Sequence, residues 1–152
     1  MTNYKQLWNK INEDLDNDDI VLEVKILNTN VEDWKNILKI LYEKFLNQIF
    51  NNNISIGINE INSNSFPKSD NDIIESLSLS FNYFNLTLSL YILEEIEFFS
   101  DSVIRLNANN IKPLFLFCEV ISCDLSKNVY IFCESYNHPS LCYNYNNKLW
   151  EY

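Results

Sequence analysis

Between Leu77 and Phe99 the chain reads LSLSFNYFNLTLSLYILEEIEFF, and its apolar residues fall on every second position. Leu77, Leu79, Phe81 and Tyr83 alternate with Ser and Asn, the pattern of a strand with one buried face. Leu86, Leu88, Leu90 and Ile92 then continue the alternation on even numbers. A strand keeps its phase, so the chain must reverse or gain a residue between Asn82 and Asn85. A hairpin turn is the first reading and a bulge in one long strand the second. Leu93-Glu94-Glu95 interrupts the pattern and Ile96-Glu97-Phe98 resumes it, giving two or three antiparallel strands.

The flanking segments carry the helical period. Tyr4, Leu7, Trp8, Ile11 and Leu15 predict a short amphipathic helix over residues 3 to 15. Ile20, Leu22, Val24 and Ile26 share one side of a strand, with Glu23 and Lys25 on the other. Thr29 with Glu32, or Asn30 with Asp33, supplies a capping box. The stripe Trp34, Ile37, Leu38, Leu41, Phe45 and Ile49 then predicts a long helix to about Phe50, stopped by Asn51-Asn52-Asn53. Ile54, Ile56 and Ile58 predict a short strand through the only glycine, Gly57, and Ile61 to Asp72 reads as the longest loop. Asn107 to Asn110 offers a cap for a second long helix with Pro113 in its first turn and Leu114, Phe117, Cys118, Ile121 and Leu125 on its buried face. Val129 to Glu134 and Leu141 to Tyr145 predict a last hairpin, and Leu149, Trp150 and Tyr152 a tail packed on the body. The fold expected is α+β: a single domain over residues 1–152, with a mostly antiparallel sheet, two long amphipathic helices and a short N-terminal helix.

Composition sharpens this picture. A chain of 152 residues with 47% hydrophobic and 14% aromatic residues can bury a core. No apolar run is long enough for a membrane span, and MTNYKQLWNKINEDL has no apolar h-region, so the expected location is cytoplasmic. The formal net charge is -10, with 11 Lys and Arg against 21 Asp and Glu. A nucleic-acid surface needs clustered cations, so direct nucleic-acid binding is disfavoured, and a basic protein partner is the complementary expectation.

Catalytic patterns are excluded mostly by counting. With one histidine and one glycine there is no glycine-rich phosphate loop, no H-E-x-x-H and no nucleophile elbow. Asp14 to Asp19 lacks the glycine and the twelfth-position glutamate of a calcium loop. Cys118, Cys123, Cys133 and Cys142 contain no C-x-x-C pair and read as small apolar residues, so no metal or cofactor is expected. His138 near Cys133 and Cys142 leaves a small thiol-dependent enzyme as a third reading.

NVEDWKNILKIL in the first long helix, EEIEFFSDSVI after it, and an apolar helix ending in LSKNVYIFCES resemble, in element order and scattered positions over much of residues 20 to 135, the small immunity proteins of bacterial polymorphic toxin and contact-dependent inhibition systems. The resemblance implies an acidic α+β domain, not an enzyme, that binds a cognate toxin domain, commonly a nuclease, and occludes its active site. An acidic regulatory or nucleic-acid-mimic protein is the alternative from another class. Partner contacts are expected from exposed acids and aromatics at loops and sheet ends: Glu94, Glu95, Glu97 and Asp101, and Glu134, Tyr136, His138 and Tyr143 around the last hairpin.

Overall fold

The computed structural model describes residues 2–15, 21–69, 71–100, 105–134 and 136–152. Its helices are α1 (Tyr4–Asp14), α2 (Val31–Lys44) and α3 (Lys112–Leu125). Its strands are β1 (Leu22–Leu27), β2 (Ile49–Asn52), β3 (Ser76–Phe81), β4 (Phe84–Ser89), β5 (Glu95–Ser100), β6 (Val129–Cys133), β7 (Leu141–Asn144) and β8 (Leu149–Glu151). They form one eight-stranded sheet in the order β2-β3-β4-β5-β1-β6-β7-β8, with every neighbouring pair antiparallel. The fold is α+β, as the element order predicts.

β1 is the strand around which the sheet closes. It pairs with β5 on one side and β6 on the other. Since β5 and β6 both run antiparallel to β1, the chain must cross the sheet to join them, and α3 lies in that connection. Between β1 and the edge strand β2 lies α2, and a meander then returns strand by strand to β5. Alternation along each strand sends one set of side chains to the helices. Leu22, Val24 and Ile26 of β1, Leu77 and Leu79 of β3, Leu86 and Leu88 of β4, Ile96 and Phe98 of β5 and Val129 and Ile131 of β6 are buried there in one core with Trp34, Ile37, Leu38 and Leu41 of α2 and Leu114, Phe117 and Ile121 of α3. Phe117 gathers the rings of Phe45, Phe98 and Phe81 at centroid distances of 5.0, 5.1 and 5.8 Å. Burying a large apolar side chain contributes roughly 1.5–3 kcal/mol, so this face supplies much of the stability.

Local chemistry explains the element ends. Asn30 caps α2 in a reciprocal box: its side chain accepts from the Asp33 N–H at 3.0 Å and the Asp33 carboxylate accepts from the Asn30 N–H at 3.0 Å. The phase change in the central stretch is a hairpin turn. Phe81 pairs with Phe84, and Asn82 and Tyr83 form the turn, so Tyr83 is exposed rather than part of a strand face. α3 stops at Ser126, whose φ of 57° places it in the left-handed region.

Four expectations are corrected. α2 ends at Lys44 rather than near Phe50; a 3-10 turn at Leu46–Gln48 follows, and Ile49–Asn52 is a strand. Pairing against β3 satisfies that edge's backbone groups, and tertiary pairing outweighs the helical period. No strand forms at Ile54 to Ile58, because Ile54 bonds back to the Asn52 side chain and Ser55 to Glu75, and Ile58–Glu60 is a 3-10 turn. Asn107 and Asn110 close a turn on each other instead of capping α3, which begins after Ile111 without a side-chain cap. The tail adds β8 to the sheet, but of its three apolar residues only Trp150 packs on the body, Leu149 and Tyr152 being 61% and 75% exposed.

Candidate outer sheet face

The helices lie on one side of the sheet, and the other side presents the alternate residues of every strand. On β3 and β4 these are small and polar, with the Ser78 and Thr87 hydroxyls 3.3 Å apart. Charge is gathered at the middle. Lys25 stands directly across from Glu97 on β5 and Tyr130 on β6, and Glu23 across from Phe99 and Phe132. The Lys25 ammonium is 3.3 Å from Glu23, 3.4 Å from Glu95 and 3.5 Å from Glu97, and lies 5.1 Å from the centre of the Phe132 ring.

One cation thus serves three carboxylates, and the two sides of the cluster titrate differently. Desolvation pulls Lys25 down, but Glu97, Glu23 and Glu95 together outweigh it and raise its pKa above the ordinary lysine value. Glu97 has one cation and two anions for neighbours. Burial foremost, then the charges of Glu23 and Glu95, raise its pKa above the usual carboxylate range despite Lys25. The cluster favours the charged form of Lys25, whereas burial and the neighbouring carboxylates disfavour the charged form of Glu97.

Beside this cluster the outer face is concave. Glu95, Glu97 and Phe99 of β5 form one wall of a pocket of about 280 Å³, and Ser89 with Tyr91 and Ile92, in the connection from β4 to β5, forms the other. Ile74 closes it from the segment before β3. Tyr91 is 50% exposed, Ile92 44%, Ile74 43% and Phe99 37%, so an apolar rim reaches solvent around two carboxylates. The turn that carries Glu94 and leads into Glu95 is fixed from the helical side. The Leu93 carbonyl accepts the Trp34 indole N–H and the Thr29 hydroxyl, each at 2.8 Å, and the Glu94 carbonyl accepts the Thr29 N–H at 2.9 Å.

The expected partner residues do not form one patch. Glu95 and Glu97 lie on the outer face, and Glu94 is exposed in the turn beside them. Because Glu95 pairs with Leu27 and Cys133 with Leu22, Glu134, Tyr136 and His138 lie at the opposite end of the strands. There the rings of Tyr136 and His138 meet edge to face at 5.1 Å. Asp101 lies outside the described residues, as do Asp16 to Asp19 of the acidic turn. Tyr143 is corrected from a contact candidate to a core-facing residue. It is only 6% exposed, packed at 5.3 Å from Trp150, because the register of β7 turns odd-numbered positions toward the helices.

The cysteines form no disulfide. Cys133 is buried on the helical side, its Sγ 3.4 Å from the Ser140 hydroxyl and 3.7 Å from the Ile11 carbonyl. Burial raises the Cys118 thiol, and burial with the nearby Glu151 pushes Cys142 up to about 11, so both stay protonated at neutral pH. No group of three or more His, Cys, Asp or Glu is placed to hold a metal among the described residues. No helix of the described residues is long and apolar enough to cross a membrane.

The outer-face residues that sequence reasoning passed over are Lys25, Glu23, Tyr91, Ile74, Phe99 and Phe132. Period two already sets Glu23 with Lys25 and Glu97 with Phe99; what joins the pairs is the β5-β1-β6 order, which periodicity does not carry. Comparison of the chain with protein-family models, with curated proteins and with solved structures gives no match.

Proposed function

We propose that this chain is an immunity protein that binds a cognate bacterial toxin domain, a basic nuclease, and occludes its active site with the acidic outer face of its sheet. The observation that carries the reading is the cluster of Glu23, Glu95 and Glu97 around Lys25, bordered by an exposed apolar rim. Three carboxylates sharing one ammonium leave a negative face that can stand where a nuclease holds its phosphates, and the rim offers burial to hold the complex. The overall charge of -10 extends the attraction and favours rapid encounter. A nucleic-acid mimic would array its carboxylates in an extended row; here they converge on one lysine, which favours a compact protein contact.

The test is co-expression in a bacterial host with the toxic domain encoded immediately upstream of this gene, or with an orphan toxin domain nearby. The expected result is survival of cells that the toxin alone kills, and a stoichiometric complex whose nuclease activity is blocked in vitro. Killing undiminished by this protein, with no complex formed, would overturn the reading.

A further inference from the structure

We propose that the pocket between Phe99 and the Tyr91–Ile92 connection is the receptor for a single arginine side chain of the partner protein, a proposal that rests on the inhibitor reading above and gives the contact its chemistry. At about 280 Å³ the pocket falls just below the roughly 300–1,000 Å³ of ordinary small-molecule sites, a size suited to one long side chain. Its walls divide by chemistry. Ile74, Ile92 and Phe99 present apolar surface along which the methylene stem of an arginine can lie. Glu95 and Glu97 present two carboxylates on the same wall, two residues apart on one strand face, which matches the forked donors of a guanidinium better than the point charge of a lysine. Tyr91 and Phe99 add exposed rings on which a guanidinium plane stacks.

Charge complementarity commits the pocket to a cation. The acids of β1 and β5 outnumber their one ammonium, Lys25, by two. An arriving guanidinium relieves the repulsion among Glu23, Glu95 and Glu97, whereas an apolar side chain would desolvate those carboxylates with nothing in return. Burial already raises the Glu97 carboxyl, so a cation at this position offsets a cost that the unbound protein carries.

The experiment is an amide-resolved NMR titration of the full chain at low ionic strength with N-acetyl-arginine methylamide, and with its neutral isosteres N-acetyl-citrulline methylamide and N-acetyl-norleucine methylamide. The expected shifts are confined to Tyr91–Ile92 and Glu95–Phe99, with the arginine probe binding about tenfold tighter than citrulline, equivalent to about 1.4 kcal/mol. Glu97→Gln should abolish that preference, and Phe99→Ala should weaken all three probes with little change in thermal midpoint, since Phe99 lies on the outer face. Equal binding of arginine and citrulline, shifts centred elsewhere, or an arginine preference that survives Glu97→Gln would overturn the proposal. Arginine-selective binding here by a protein that protects against no toxin keeps the pocket and removes the inhibitor reading. Protection unaffected by Glu97→Gln and Phe99→Ala together keeps the inhibitor reading and removes the pocket.

Discussion

The indole of Trp34 is buried, with its ring edge to face on Phe66 at 5.1 Å and its N–H on the Leu93 carbonyl. Trp34→Ala should therefore destabilise the domain by about 3–5 kcal/mol in chemical denaturation, the range for truncating a large core aromatic. Trp34→Phe keeps most of the packing but removes the bond to Leu93, for a cost of about 1 kcal/mol. The phenylalanine variant should also speed amide exchange at Glu94 and Glu95, because it releases the turn that leads into them. Burial of Trp34 is legible in the sequence from its place in the helical stripe. Its partner is 59 residues away, and no local pattern announces a bond of that span.

Glu97 gives a second test at the same scale. Its carboxyl is raised in the folded protein by burial and by Glu23 and Glu95, with Lys25 opposing, while the β4 residues alongside, Thr87 and Ser89, bear no charge. The folded state then holds the proton more tightly than the unfolded chain. Stability from this group is greatest below the ordinary carboxylate pKa and falls as pH rises through the window up to the raised folded value. Glu97→Gln should flatten that decline and leave the variant at least as stable as the parent at neutral pH, read as thermal midpoint against pH. A variant markedly less stable at neutral pH would mean that the bond to Lys25 outweighs burial and repulsion.

At the scale of elements, what the sequence discloses depends on how local the cause is. The capping box of α2 involves residues three apart and is readable as written, and Asn30→Ala should lower stability by about 1 kcal/mol through loss of the cap. The β3–β4 hairpin is equally local, since a change of phase in a period-two pattern has few physical causes. The end of α2 is not local. Ile49 continues the helical stripe, yet the open edge of β3 draws it into a strand, Ile49 pairing with Leu79. The opposite error occurs at Ile54 to Ile58, where perfect alternation finds no neighbouring strand and side-chain bonds from Asn52 and Glu75 claim the backbone. β8 is legible as apolar residues but not as a strand. Trp150 sits 5.2 Å from Phe115, and its indole N–H meets Glu119 at 2.8 Å, which ties β8 to α3.

At the scale of the molecule, strand order decides which of the acids act together. β1 separates β5 from β6, and the registers set the Glu94–Glu97 acids and the Glu134–His138 loop at opposite ends of the sheet. Nothing in the linear sequence fixes that separation, because the same strands in another order would bring the two groups together. On the proposed reading the first group is the contact surface, and its separation from the second makes the second an internal control. Reversing Glu95 or Glu97 to lysine would set like charge against Lys25 and confuse folding with binding, so neutralisation is the cleaner change. With the cognate toxin domain, Glu95→Gln with Glu97→Gln should lower the association rate at low salt and flatten its dependence on ionic strength, since encounter speed follows the net charge of the approaching face. Dissociation should quicken as well, because these two carboxylates are the proposed arginine contacts. Glu134→Gln with Tyr136→Ala, at the far end, should change neither rate by more than about twofold, a difference within the small effects of rim residues. If stopped-flow traces show the reverse ordering, the toxin docks at the Glu134–His138 end and the outer face is not the inhibitory surface.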